Sequence, residues 1–275
     1  LYLKDSQKRN RASQLFLASC IHKSLGHKYT WGDSISNRKI QKDKVLIPVK
    51  NAQIDFNFMN RFIAELEAER IAELEAYLAV SNLKDYTLTQ EEQKILDDFE
   101  TEKFEWSEFN LEKLFGKSTR GKRLKSADRI DGTLPFVTAG ETNEGISAYI
   151  GNDVNVFSRN TTTIDMFGSA KYRNYNYGGD DHIAVVHTEN LSKFAAIFVT
   201  TAIHKSSYTG KFDYGRNFYA KDADELNISL PVQSKQPDYK TMEILLSAIQ
   251  KLVIKDVVLY ADSKIKATKK IVSHE

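Results

Sequence analysis

The stretch KSTRGKRLK (117–125) puts Lys117, Arg120, Lys122, Arg123 and Lys125 into nine residues, with Ser, Thr and Gly between them. Lysine and arginine are the side chains that neutralise phosphate oxygens, and small residues let the main chain come close to a phosphate backbone. AKYRNYNYGG (170–179) alternates aromatic rings with Lys171, Arg173 and two asparagines, and Tyr172 stands between the two cations. Such side chains donate to base edges or stack. TGKFDYGRNF (209–218) adds Lys211 and Arg216 beside another glycine, and TAGETNEG (138–145) is a turn that offers Thr138, Thr142 and Asn143. Taken singly, each is an ordinary polar loop. Gathered in one region, they point to a face for nucleic acid.

Covalent chemistry finds no comparable support. The four prolines never stand side by side, so no adenine-methyltransferase motif of the Asn/Asp-Pro-Pro-Tyr type occurs, and no Gly-rich loop for a methyl donor accompanies one. No P-loop or G-x-G-x-x-G is present either. A nuclease of the Pro-Asp, acid-x-Lys kind would need its acids on neighbouring strands. Here Glu92-Gln93-Lys94 and Glu112-Lys113 lie in helical or linker context and read as solvated charges. His22/His27 and His182/His187 are spaced by five residues, which on a strand sends the two rings to opposite faces, and no cysteine joins them. The expectation is a chain with no catalytic residue and no metal site.

Composition sets the outer limits. A net charge of +2 leaves any basic surface to be local, and 41% apolar residues allow a real core. The single cysteine, Cys20, excludes a disulfide framework and predicts a reducing, cytoplasmic setting. No apolar run is long enough for a membrane span. The chain also opens without Met and in mid-pattern, as a fragment does.

Loops of this kind must be held, and a repeat shows by what. CIHKS (20–24) returns as AIHKS (202–206), an offset of 182 (203 − 21), within LFLASCIHKS and IFVTTAIHKS. After a slip of one residue, Trp31-Gly32 faces Tyr214-Gly215, VLIPV (45–49) faces ISLPV (228–232), Asp55 faces Asp238 and Met59 faces Met242. A period near 180 is too long for a solenoid and indicates two copies of one domain type. A helical pattern follows each copy: Met59, Phe62, Ile63, Leu66, Leu74, Tyr77 and Leu78 after the first, Met242 to Tyr260 after the second, which ends in the basic run KIKATKK. IAELEA occurs at 63–68 and 71–76, and both a solvated helix with one apolar stripe and a coiled-coil helix fit it. Thr89 with Glu92 reads as a capping box. From Phe104 to Leu230 the runs LPFVT, AYIG, TTTIDMF, HIAVVH, AIFVTTAI and NISLPV read as strands between glycine-marked turns. The layout is half a β-rich domain, a helix, a whole β-rich domain and a second helix.

Taken together, these features resemble the specificity subunit of Type I restriction–modification systems and of its Type IIB/IIG relatives. FEWSEFNLEKLF (104–115) is similar to the entry into that family's target recognition domain, and LPFVTAGETNEGISAYIG (134–151) to its proline-led strand with an Asn-rich turn. FGSAKY (167–172) resembles its Gly-then-aromatic loop. ISLPVQSKQPDYKTM (228–242) and VLIPVKNAQIDFNFM (45–59) resemble the Leu-Pro exit strand, and ELEAERIAELEAYL (65–78) the helical spacer. The match runs in order over nearly the whole chain; only the front half of a first recognition domain has no counterpart.

The resemblance implies an α+β chain of β-rich target recognition domains joined by long antiparallel coiled-coil helices. It divides into the end of a first recognition domain (1–57), a central spacer (58–103), a second recognition domain (104–238) and a distal spacer (239–275). It also implies a non-catalytic reader of a bipartite double-stranded DNA site, docked by methyltransferase subunits and, in some systems, a restriction subunit. This chain itself would bind no cofactor; the partner methyltransferase would use S-adenosylmethionine. A helix over 58–82 would span about 37 Å at ~1.5 Å per residue, close to one duplex turn. The rival reading is an interaction protein, with two β modules on a coiled coil and no DNA target.

Overall fold

Asn10 accepts the Ser13 amide at 2.8 Å and so starts α1 (Arg11–Leu25), and Ser36 caps the one-turn α2 (Asn37–Ile40) in the same way. A short hairpin follows, β1 (Val49–Lys50) with β2 (Gln53–Ile54), and then α3 (Phe56–Val80), capped by Asp55 accepting from the Phe58 amide. The computed structural model describes residues 8–272, with the side chains of 268–272 excepted, so the last part of the KIKATKK run lies outside the described side chains. It divides into two compact units, Leu1–Asp85 with Ile254–Glu275, and Tyr86–Val253.

In the first unit Phe16 of α1 meets Phe58 and Phe62 of α3 edge-on, with ring centroids 6.0 and 5.5 Å apart. Arg11 pairs with Glu67 across the same two helices at 2.8 Å. The half-domain expected to be rich in strands therefore holds more helix than strand, and among the described residues its strands are the two of the hairpin. Apolar side chains stay uncovered here: Leu46 and Val49 are exposed, and Leu17, Ile21, Ile40, Val45, Ile47 and Ile54 line an open groove of about 770 Å³.

The second unit opens with α4 (Gln90–Glu100), where the capping box forms as expected, Thr89 accepting from Glu92 N–H and Glu92 from Thr89 N–H. Next come β3 (Trp106–Asn110), α5 (Leu111–Phe115), β4 (Thr119–Arg120), β5 (Asp131–Val137), β6 (Ile146–Ile150), β7 (Val156–Phe157) and β8 (Thr161–Asp165). The unit continues with β9 (Ala170–Arg173), β10 (Tyr177–Gly179), β11 (Ile183–Val186), α6 (Lys193–Ser207), α7 (Ala220–Asp224), β12 (Asn227–Gln233) and β13 (Gln236–Pro237). The closing helix, α8 (Tyr239–Val272), belongs to this unit through Val253.

Three sheets result, with orders β6-β5-β10-β7, β4-β11-β8-β9 and β13-β12-β3. Strand β11 reads IAVV and is buried on both faces, as a continuous apolar run requires. Ala184 and Val186 face a core built with Val199, Ile203, Ile228 and Leu230, while Ile183 and Val185 face Val137, Phe157 and Tyr177. Each fully buried valine, leucine or isoleucine side chain there contributes roughly 1.5–3 kcal/mol. AIFVTTAI, expected as a strand, lies inside α6. Ser192 accepts from the Ala195 amide to start that helix, and its Thr200 hydroxyl reaches Thr162 of β8 at 2.6 Å.

The repeat is present in the backbone. Helices α1 and α6 have the same length and the same N-cap position, Asn10 and Ser192. Hairpin β1–β2 pairs Val49 with Ile54 and Lys50 with Gln53; β12–β13 pairs Val232 with Pro237 and Gln233 with Gln236, each 183 residues on (232 − 49). The turn residues Asn51 and Ala52 hold positive φ, as do Ser234 and Lys235. Asp55 donates its amide to Pro48 O at 3.0 Å and Asp238 to Pro231 O at 2.9 Å, and buried Met59 and Met242 follow. The slip of one residue falls between α1 and α2, against the segment between α6 and α7, where the second copy is the longer. Of the first unit's groove residues, Leu17, Ile21, Val45 and Ile47 correspond to Val199, Ile203, Ile228 and Leu230, which the second unit buries.

Helix α4 joins the second unit because Leu96 packs with Leu245 and Ala248 of α8. The unit is therefore larger at both ends than the expected 104–238. A polar clasp reinforces the contact: Glu92 accepts from Ser247 at 2.7 Å and from Lys251 at 2.9 Å. Burial alone would raise the Glu92 carboxyl, but the Thr89 amide, Lys251 and Ser247 outweigh it and hold the pKa down to about 2. A folded pKa below the ordinary 4.5 means that this stabilisation is complete above that pH and is lost as pH falls through about 2. Glu92→Gln is expected to lower stability near neutral pH by roughly 1–3 kcal/mol and to flatten the acid limb of unfolding between those two values. Urea midpoints measured across that range check it; an acid limb unchanged by the substitution would remove the clasp from the account.

Candidate nucleic-acid interface

Gly121 seats the basic stretch against the sheets. A Cβ there would lie 1.9 Å from Gly179 O, so only glycine lets the two backbones meet, and Lys122 N–H donates to that same oxygen at 3.0 Å. Leu124 N–H reaches Asp180 Oδ1 at 3.4 Å, and Arg123 pairs with Asp181 at 3.6 Å. Asp180 in turn donates its amide to Val137 O at 2.9 Å, beside Thr138 at the end of β5. The basic stretch and the 138–145 turn are thereby held side by side.

Asp165 joins this turn to the next loop. Its buried carboxylate accepts from Gly140 N–H at 3.3 Å and from the Phe167 and Ser169 amides at 3.0 Å each. Lys171 Nζ lies 3.1 Å from Glu141 Oε1, and hydrogen bonds from Ser169 and Lys171 hold the Glu141 carboxyl below its ordinary value against the opposing effect of burial. Beyond it, Ser207 Oγ donates to Gly168 O at 2.6 Å and the Phe167 ring meets Tyr214 edge-on at 5.2 Å. That contact brings the 209–217 loop, with exposed Lys211 and Arg216, to the same rim.

Most of the residues singled out from sequence therefore lie along one rim: Lys122, Arg123, Thr138, Thr142, Asn143, Lys171, Lys211 and Arg216. Arg120 stands on edge strand β4 opposite Ala184, leading into it. Three lie elsewhere. Lys117 is at the other end of β4, where its neighbour Ser118 bonds Asp224 at 2.7 Å. Tyr172 turns to the opposite face of β9 from Lys171 and donates to Asn160 Oδ1 at 2.8 Å.

Arg173 is buried and offers nothing to a ligand. Its Nε donates to Thr163 Oγ1, and its Nη1 to Glu144 O and Tyr175 Oη, all at 2.9 Å. It holds the Thr142–Gly145 turn from beneath, where Asn143 and Glu144 take left-handed φ of 49° and 55° and Gly145 one of 80°. Asp165 and Tyr214, which the sequence reading passed over, complete the rim. The aromatic-glycine pair at 214–215 was the available signal for the second.

Among the described residues no group of three or more His, Cys, Asp or Glu could hold a metal ion, and no helix is long and apolar enough to cross a membrane. Residues 103–258 match the model of the Type I restriction modification DNA specificity domain, more than half of the chain. The chain belongs to that family. It is a specificity subunit of a restriction–modification system. Among curated relatives, this specificity subunit is 24% identical over 251 residues to the specificity subunit S.BcgI of the Type II restriction enzyme BgcI from Heyndrickxia coagulans, covering 89% of this chain and 69% of that one. Its fold is that of the Type I restriction–modification S subunit from M. genitalium, with a TM-score of 0.56 at 15% identity over 98% of this chain and 72% of the other. The matched stretch takes in the entire rim and also the segment of α8 that packs on α4.

Proposed function

We propose that this specificity subunit is a non-catalytic reader of a bipartite duplex target, in which each unit addresses one half-site. The second unit reads through its rim: Arg120, Lys122 and Arg123 take phosphates, and Thr142, Asn143, Lys171, Lys211 and Arg216 are the side chains within reach of base edges. The helices that follow each copy, α3 and α8, set the distance between readers. Methyltransferase subunits, working with S-adenosylmethionine, are the partners, a restriction subunit is a further one, and the setting is the cytoplasm. The observation that carries the reading is the repeat: the same helix, hairpin register and Asp-to-Pro hydrogen bond occur in both units. Two half-sites call for two similar readers.

A graft tests it. Replacing residues 86–253, the boundaries of the second unit, by the corresponding unit of another family member should change one half of the duplex selected from a randomised library and leave the other half alone. A change in both halves, or duplex binding that ignores salt, would favour an interaction protein instead.

A further inference from the structure

The first unit carries a loop tip that none of the basic stretches includes. In the second unit, Asp213 and Arg216 exchange backbone hydrogen bonds at 3.1 and 3.2 Å, closing a turn with Tyr214-Gly215 at its point. In the first unit Thr30 and Asp33 exchange the same pair at 3.4 and 3.1 Å, with Trp31-Gly32 at the point. The two turns are 183 residues apart (213 − 30) and stand between corresponding helices, α1 and α2 in one unit, α6 and α7 in the other. Both aromatic rings are in solvent, Tyr214 at 86% exposure and Trp31 at 102%.

A lone exposed ring is ordinary on a protein surface; this one is set apart by its return, likewise exposed, at the same turn of the second unit. The loop beneath is braced: Lys28 and Tyr29 both bond Asp43, and Lys39 bonds Asp33 and, at 3.1 Å, Ser34 O. The ring is thus held out by a fixed frame. The segment that carries it is cationic: between His22 and Lys44 stand Lys23, Lys28, Arg38, Lys39, Lys42 and Lys44 against Asp33 and Asp43, which pair with Lys39 and Lys28. An aromatic ring among cations fits a nucleic acid, with the charges on phosphates and the ring on a base or a base step.

We infer that Trp31 is the DNA-contacting tip of the first unit, the equivalent of Tyr214 in the second, and that each ring addresses its own half-site. This rests on the duplex-reading function proposed above. The full chain with Trp106→Phe keeps Trp31 as its only tryptophan, so indole emission reports on that ring. The probe is the duplex that the unsubstituted chain selects from a randomised library. Its addition should quench the emission, and Trp31→Ala should weaken binding by about tenfold or more. Repeated selection should then lose sequence preference in one half-site with Trp31→Ala and in the other with Tyr214→Ala.

Steep, salt-dependent binding with Trp31 emission unmoved and affinity unchanged in Trp31→Ala would overturn the inference and leave the reader function standing. Loss of preference in the same half-site from both substitutions would overturn the equivalence, and emission that responds only to a methyltransferase subunit would make the tip a protein contact. A parent chain that selects no duplex would instead refute the function itself, and the tip with it. Trp31 has no buried surface, so an unchanged thermal melt is the expected folding control.

Discussion

Replacing Arg120 and Lys122 together by alanine is expected to weaken binding to every duplex alike and to reduce the slope of log affinity against log salt by roughly one unit per lost contact. Both side chains are exposed, one on edge strand β4 and the other on the segment that Gly121 fixes against Gly179. Each phosphate neutralised releases condensed counterions, so two contacts amount to about two decades of affinity near 50 mM salt and progressively less as salt rises. Sequence preference should persist, because phosphates carry no base identity. Lys117→Ala is the internal control: it lies at the opposite end of β4 beside the Ser118–Asp224 hydrogen bond and should leave the slope where it was. Titrations at several salt concentrations decide the matter. A slope unchanged by the double substitution would take this edge out of the interface.

Arg173→Ala is expected to cost about 2–4 kcal/mol of stability, the range for stranding several buried acceptors at once. The guanidinium satisfies Thr163, Tyr175 and the Glu144 carbonyl, and lies 5.9 Å from the centre of the Tyr177 ring. Losing it releases the Thr142–Gly145 turn, so base preference should fall together with the melting temperature. Arg173→Lys keeps the charge without the planar fork and should recover only part of the loss. Chemical unfolding and duplex selection on the same variants check the two effects against each other. An alanine variant as stable as the parent but poor at binding would return Arg173 to the surface as a contact.

Arg173 also marks where reading from residue types stops. A cation between aromatic rings has the same composition whether it faces solvent or a core; strand direction decides, and β9 sends Lys171 and Arg173 toward the neighbouring sheet while Tyr172 faces away. The segment AIFVTTAI misled for a related reason: eight apolar and β-branched residues fit a buried strand as well as a buried helix, and only the Ser192 cap separates them. By contrast, the repeat was legible because Asp, Pro and Met recur where each has a single local role. Asp caps a helix, the Pro carbonyl accepts that Asp's amide and Met fills a core. The capping box at Thr89 and Glu92 was legible too, since its three-residue spacing is itself the mechanism. The Lys251 partner of Glu92 was out of reach, 159 residues away.

The one-residue difference between the two copies falls in the stem of the aromatic loop, ahead of the turn that Thr30 and Asp33 close in one unit and Asp213 and Arg216 in the other. The pointed end keeps its geometry while its stalk changes length. That makes the stalk the point where length differs between the copies, while the helix ahead of it keeps its 15 residues and Lys28 and Tyr29 stay tied to Asp43. A series of insertions ahead of those tied residues offers the protein engineer a way to vary the loop's length separately from any choice of which side chain its point carries.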